Sequence, residues 1–116
     1  DRRDYVDKLD SGAVKRQSKP VMFDREVDRI YFGETTPLHV VVPEERRRVE
    51  IASTGSGSAV VWNPWIDKSI RLGDMGPDGY RHMVCVETAN AGPDLRMIRA
   101  GEHHSLAVRY AALPQA

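Results

Sequence analysis

His82-Met83-Val84-Cys85-Val86-Glu87-Thr88 is the stretch on which the reading of the fold turns. In an extended chain Met83 and Cys85 share one face and Val84 and Val86 the other, so a strand here is apolar on both sides and reads as buried. Period two then puts Glu87 on the Met83/Cys85 face. A carboxylate ending such a strand must be paired, hydrogen-bonded or raised in pKa, and a raised pKa is what a general base working near neutrality needs. The plainer alternative is that the strand surfaces at Glu87 and leaves a solvated acid. Periodicity alone leaves both open.

Working outward, short runs rich in branched and aromatic residues recur at 27–32, 38–42, 47–52, 59–62, 82–88, 95–99 and 105–110. That rhythm predicts an all-β domain. Turn signals fall between them at Gly33, Pro43-Glu44, Thr54-Gly55-Ser56-Gly57, Gly76-Pro77-Asp78-Gly79, Gly92-Pro93-Asp94 and Gly101-Glu102, so successive strands are expected to be antiparallel hairpin partners. Residues 1–20 are polar and mixed in charge, with Ser11-Gly12 as a turn and Pro20 as a stop, and predict a loop. Residues 26–110 are the expected strand-rich core. Between Asn63 and Tyr80 the apolar residues Trp65, Ile66, Ile70 and Leu72 show no clean period, which predicts a long loop of the functional or mobile kind.

Composition narrows the function classes. A chain of 116 residues holds one modest core at most. Lys plus Arg and Asp plus Glu both number 17, so the formal charge is zero and no overall field draws in nucleic acid or an anionic membrane. A small polar ligand fits better. The lone cysteine, Cys85, can form no internal bridge, which suits a reducing compartment and makes the cytoplasm the expected location. No stretch approaches the roughly 20 apolar residues of a membrane span, and the start DRRDYVDKLD lacks the apolar segment of a signal peptide. With no initiator methionine, Tyr5-Val6-Asp7-Lys8 reads as a chain already in progress, and a fragment is expected.

A second carboxylate repeats the conflict seen at Glu87. Asp28 shares its strand face with Ile30 and Phe32, and aspartate is depleted in strands. It reads either as an acceptor for sugar hydroxyls in a lined pocket or as an edge or bulge position. Two acids on apolar faces suggest a pocket; a purely structural role would instead leave them on opposite surfaces. The four histidines make no metal site, because His103 and His104 are adjacent and point apart while His39 and His82 stand alone. Thr54-Gly55-Ser56-Gly57-Ser58 lacks the lysine and helix of a phosphate loop and reads as a hairpin turn. Arg46-Arg47-Arg48, without interleaved aromatics, reads as an exposed strand edge. No elbow motif surrounds any serine.

Beyond periodicity, the ordered residues carry a resemblance. Val60-Val61-Trp62-Asn63-Pro64-Trp65, then Lys68, Asp74-Met75, Gly79-Tyr80 and Met83-Val84-Cys85-Val86-Glu87 strongly resemble the D-hexose-6-phosphate mutarotases, or glucose-6-phosphate 1-epimerases, of the aldose 1-epimerase-like group. Tyr5-Val6-Asp7-Lys8 and Glu26-Val27-Asp28-Arg29-Ile30-Tyr31 look like two further blocks in the same order. The resemblance implies a galactose-mutarotase-like β-sandwich, free of metal and cofactor, that interconverts the α and β anomers of a hexose 6-phosphate. It implies that Glu87 removes the proton of the anomeric hydroxyl, that Asp28 hydrogen-bonds the sugar hydroxyls, and that a histidine protonates the ring oxygen. In the family that histidine lies upstream of the block matched by residues 5–8, and the phosphate-holding arginines lie further upstream. Neither region is in this chain, so the role passes to none of its histidines. Residues 1–116 are therefore expected to be the C-terminal part of a single sandwich domain. Their expected partners are a small sugar phosphate and the missing N-terminal part, whose absence would leave sheet edges unpaired. A non-catalytic carbohydrate-binding or interaction module of the same fold is the alternative.

Overall fold

The structure, a computed structural model, describes residues 3–115. Among them the strands are β1 (Arg3–Asp7), β2 (Ala13–Gln17), β3 (Val27–Phe32), β4 (Leu38–Val42), β5 (Arg47–Thr54), β6 (Ser58–Asn63), β7 (Cys85–Ala89) and β8 (Ala107–Pro114). Helix α1 (Trp65–Leu72) separates β6 from β7, and single 3-10 turns occupy Pro43–Glu45, Gly79–His82 and Gly92–Asp94. The strands form two sheets, in the orders β2-β1-β3-β6-β7 and β4-β5-β8, and every pairing is antiparallel. The fold is all-β, as the rhythm of the sequence predicts.

Alternation in the larger sheet builds two unlike faces. Tyr5, Val27, Tyr31 and Val61 point to one side and form the buried core, with Val21, Phe23 and Val84 packed against it. Each such side chain is worth about 1.5–3 kcal/mol when fully buried. The Tyr5 and Tyr31 rings lie 5.2 Å apart, and the Arg29 guanidinium sits 4.6 Å above Tyr5. Asp28, Ile30 and Phe32, the intervening residues of β3, project from the other side.

Several sequence expectations are corrected. Of the stretch 1–20 expected as a loop, residues 1 and 2 lie outside the described residues, and β1 and β2 instead make residues 3–17 an edge hairpin. Its strands are written in charges rather than in apolar alternation, and cross-strand pairs hold them, Arg16 to Asp4 at 2.6 Å and Lys15 to Asp7 at 2.8 Å. Residues 63–80 contain α1, whose inward stripe is Trp65, Lys68 and Ser69 and whose end is Gly73 at φ +77. The expected strand at 82–88 begins only at Cys85, because the Met83 carbonyl is taken by the Asn63 side chain. Residues 95–99 form no strand, since a 3-10 turn precedes them and no strand pairs there; Leu95 and Met97 are more than four-fifths exposed, at 82% and 84%. Arg46–Arg48 is not an edge, because β5 lies between β4 and β8. Nor is the glycine-rich turn after β5 a hairpin: it carries the chain from the smaller sheet to the larger.

The radius of gyration is 15.5 Å, against about 13 Å for a closed globule of this length. The surplus matches the sheets. Val108 and Tyr110 on the edge strand β8 remain 40% and 60% exposed, so these residues alone do not close a sandwich.

Candidate functional site

The register of the larger sheet settles how its two carboxylates relate. Asp28 pairs with Trp62 and Trp62 with Cys85, while in the adjoining row Ile30 pairs with Val60 and Val60 with Glu87. Residues opposite one another across antiparallel strands share a face, so Asp28, Trp62, Cys85 and Glu87 all project from the side away from the tyrosine core. Two strand spacings and two residues of rise separate Asp28 from Glu87, roughly 12 Å between Cα atoms. Opposite surfaces, the arrangement of a purely structural role, are excluded.

The two acids differ in setting. The Asp28 side chain is only 16% exposed and meets the Lys8 ammonium at 3.7 Å, while the Lys8 amide donates to the Asp28 carbonyl at 3.0 Å. Glu87 is exposed, so the strand does surface there. Its charge nevertheless reaches its neighbour: burial first, then the negative charge of Glu87, push the Cys85 thiol above its ordinary range. Cys85 is thus held as a neutral thiol near neutrality, unfit as a nucleophile.

Helix α1 stands beside this face because of Asn63. Its buried amide donates to the carbonyls of Tyr80 and Met83, each at 2.9 Å, and its Oδ1 accepts the Trp65 N–H at 2.8 Å. Trp65 adopts φ +58 at the helix entry, a left-handed conformation costing a large side chain about 1–2 kcal/mol. Edge-on packing against Tyr80, with ring centroids 4.9 Å apart, holds it there. Ser69, fully buried, donates to the Gly76 carbonyl at 2.8 Å. Lys68 then extends over the Trp62 ring, its ammonium 5.8 Å from the centroid.

At the other end the face is bounded by the 3-10 turn at Gly92–Asp94. Gly92 has φ +53, and a Cβ there would already meet Ile30 Cγ2 at 3.4 Å, so the backbone can lie close to the sheet. Asp94 anchors the turn by accepting the Gly57 N–H at 2.7 Å, the Asn90 amide at 2.8 Å and Arg96 at 2.8 Å. Asn90 also donates to the Gly55 carbonyl and meets His104 Nε2 at 3.0 Å. Gly55, at φ +77, is obligatory in this knot, for a Cβ would run into the Ser105 carbonyl oxygen.

Burial alone would raise the Asp94 pKa, and it is the largest single influence. The hydrogen bonds from Asn90, Gly57 and Arg96 together outweigh it and bring the carboxyl down from 3.8 to about 2. A folded-state value below the unfolded one stabilises at pH values above the unfolded pKa and is lost as pH falls through the folded pKa. Asp94→Asn is therefore expected to cost about 2 kcal/mol at pH 6 and to converge with the parent protein only below about pH 2. Denaturant midpoints of both proteins across that range check it; a constant difference would contradict the linkage.

Two pockets, both open to solvent, lie elsewhere. One cavity of ≈ 470 Å³ is lined by Phe23, Asn63, Trp65, Tyr80, Arg81 and Met83, and one of ≈ 390 Å³ runs from Tyr5 to the Arg16 and Arg29 guanidinium groups. Neither includes Asp28 or Glu87, whose face is an open shelf. His39 pairs with Glu50 on the smaller sheet and His104 belongs to the Asp94 knot, while His82 and His103 are exposed. Among the described residues no group of three or more His, Cys, Asp or Glu is placed to hold a metal ion, and no helix is long and apolar enough to cross a membrane.

Comparison with known proteins supplies the family. The model of the aldose 1-epimerase family matches residues 4–111. The chain belongs to the aldose 1-epimerase family. Its two antiparallel sheets are accordingly part of the all-β sandwich expected of an aldose 1-epimerase. Curated relatives agree: a protein of Cenchrus ciliaris is 29% identical over 112 residues, 96% of this chain and 34% of the relative. One from Escherichia coli K12 is 30% identical over 101 residues, 86% of this chain and 34% of its own length. One from Salmonella typhimurium LT2 is 32% identical over 69 residues, 60% of this chain and 24% of the relative. All three carry the name "Putative glucose-6-phosphate 1-epimerase". The epimerase-family chain thus spans about a third of the length, 34%, of the first two. No solved structure matches it significantly.

Sequence reasoning singled out Asp28 and Glu87 but left Trp62 and Lys68 without a role. The alternation of β6 alone would have put Trp62 on one face with Val60. Only the pairing of β6 with β3 and β7 makes that the carboxylate face.

Proposed function

We propose that this chain provides the base and the sugar-positioning acid of a hexose-6-phosphate mutarotase, a glucose-6-phosphate 1-epimerase. The observation that carries the reading is that Asp28 and Glu87 share one face of one sheet with a half-buried tryptophan between them. A pyranose laid across that shelf can meet both carboxylates through its hydroxyls. Glu87 takes the proton of the anomeric hydroxyl, the bond from the anomeric carbon to the ring oxygen breaks, and an acid protonates that oxygen. The open aldehyde turns about its first carbon–carbon bond. Attack by the ring hydroxyl on the other face, with both protons returned, closes the opposite anomer. Asp28 accepts hydrogen bonds from the sugar hydroxyls throughout, and a positioned base of this kind contributes about 10²–10⁴-fold.

His39 is paired with Glu50 and His104 is held in the Asp94 knot, so on this reading the acid comes from outside the chain. The family resemblance assigns that histidine, and the arginines for the phosphate, to an upstream part of a full-length chain. The same part would cover the open edges of β2, β7 and β8. A cytoplasmic, reducing setting suits the lone thiol of Cys85. The test is polarimetry on freshly dissolved α-glucose 6-phosphate: the full-length protein should hasten the approach to anomeric equilibrium well beyond the buffer rate. Equal rates with and without protein would sink the reading. The exposure of Glu87 favours a second reading, a sugar-binding module without turnover, which predicts saturable sugar binding and no acceleration.

A further inference from the structure

Lys68, half-buried, is not placed like a surface lysine. On α1 it follows the inward stripe of Trp65 and the fully buried Ser69, while the solvent side is taken by Ile66, Asp67, Ile70 and Arg71. Its ammonium lies 5.8 Å from the centroid of Trp62, the residue directly opposite both Asp28 and Cys85. The other lysine of this shelf, Lys8, is engaged by Asp28 at 3.7 Å. Among the described residues Lys68 takes part in no ion pair.

An aromatic seat differs from a carboxylate partner. The ring quadrupole holds a cation in place, with about 0.5–2 kcal/mol, but does not neutralise it. A lysine so held keeps its full charge and its three N–H donors for a ligand. Lysine grips phosphate as a point charge, without a fixed fork geometry, so a flexible stem anchored only at its tip suits a substituent that hangs off a sugar ring.

We propose that Lys68, seated on Trp62, joins the upstream arginines in holding the anionic substituent of the sugar whose ring spans Asp28 and Glu87, and so adds to the selection of phosphorylated over neutral sugars. This rests on the shelf being the sugar site. A charge-assisted hydrogen bond of this kind sets the expected effect at roughly tenfold or more. In the full-length protein, Lys68→Met should lower the ratio of KM for glucose to KM for glucose 6-phosphate by about tenfold. Lys68→Arg, which keeps the charge, should restore most of that ratio, and added salt should raise KM for glucose 6-phosphate in the parent more than in Lys68→Met.

An unchanged ratio in Lys68→Met overturns the proposal, as does an equal rise of both KM values, which would mean a hydroxyl contact or a structural role. Should the parent protein exchange no anomers, the reading of Glu87 fails, and Lys68 is then tested by binding alone. Titration of inorganic phosphate and glucose 6-phosphate, followed through the Trp62 indole N–H resonance, should then show saturable shifts that Lys68→Met abolishes. No shift in the parent, or the same shift in the variant, overturns the proposal; phosphate and sugar phosphate shifting alike would make the contact to the phosphoryl group itself.

Discussion

Glu87→Gln should slow the exchange of glucose 6-phosphate anomers by about 10²–10⁴-fold in the full-length protein, with the fold left intact. Glutamine keeps the length of the side chain and its capacity to hydrogen-bond the anomeric hydroxyl, but it cannot accept the proton. Because Glu87 is exposed at this strand position, little packing is lost, and stability should stay within about 0.5 kcal/mol. A near-normal exchange rate would remove Glu87 from the role of base. The same variant has a readout that needs no activity. Burial and the Glu87 charge together raise the Cys85 thiol, so removing the charge should bring its pKa part of the way back, leaving the contribution of burial. Alkylation rates measured against pH would show that downward move, and an unmoved profile would mean that the two side chains do not face each other as the register requires.

Asn63→Ala should be the most damaging single change for stability, at roughly 3–4 kcal/mol. One buried amide there makes three bonds, two donated to the carbonyls of Tyr80 and Met83 and one accepted from Trp65. Alanine would leave all three backbone groups without their partner, and unmet buried groups cost more than the net value of the bonds themselves. Asn63→Asp should not rescue it, since a carboxylate keeps the acceptor but turns a negative charge toward two carbonyl oxygens. Urea unfolding of both variants checks this, and a loss under about 1 kcal/mol would contradict it. The consequence extends to the shelf: without the Asn63 bond only ring packing against Tyr80 is left to hold Trp65 at φ +58, so α1 should loosen and carry Lys68 off its seat. Near-ultraviolet circular dichroism from Trp65 and Tyr80 should weaken together.

How legible the site was depended on how far each feature reaches along the chain. The sequence by itself determined the strands whose alternation is complete within a few residues: 27–32 and 38–42 are bounded as their periodicity predicts. It also determined the common face of Asp28, Ile30 and Phe32, since the period of a strand is a local property. The ordered motifs further determined the family, which the family model then matched over residues 4–111. Tertiary structure decided what depends on partners distant in sequence. Residues 3–17 became an edge hairpin through charges that pair only across strands, and no apolar pattern announces such a strand. Helix α1, at 8 residues, is too short to be stable by propensity and exists because Asn63 and the buried Ser69 hold it. The glycine-rich turn became a crossing between sheets because β6 pairs with β3 and β7 and not with β5. Asp28 and Glu87 were each legible as acids on apolar strands. That they share the face of one tryptophan was decided by β6 lying between β3 and β7, a choice of neighbours that no local period contains.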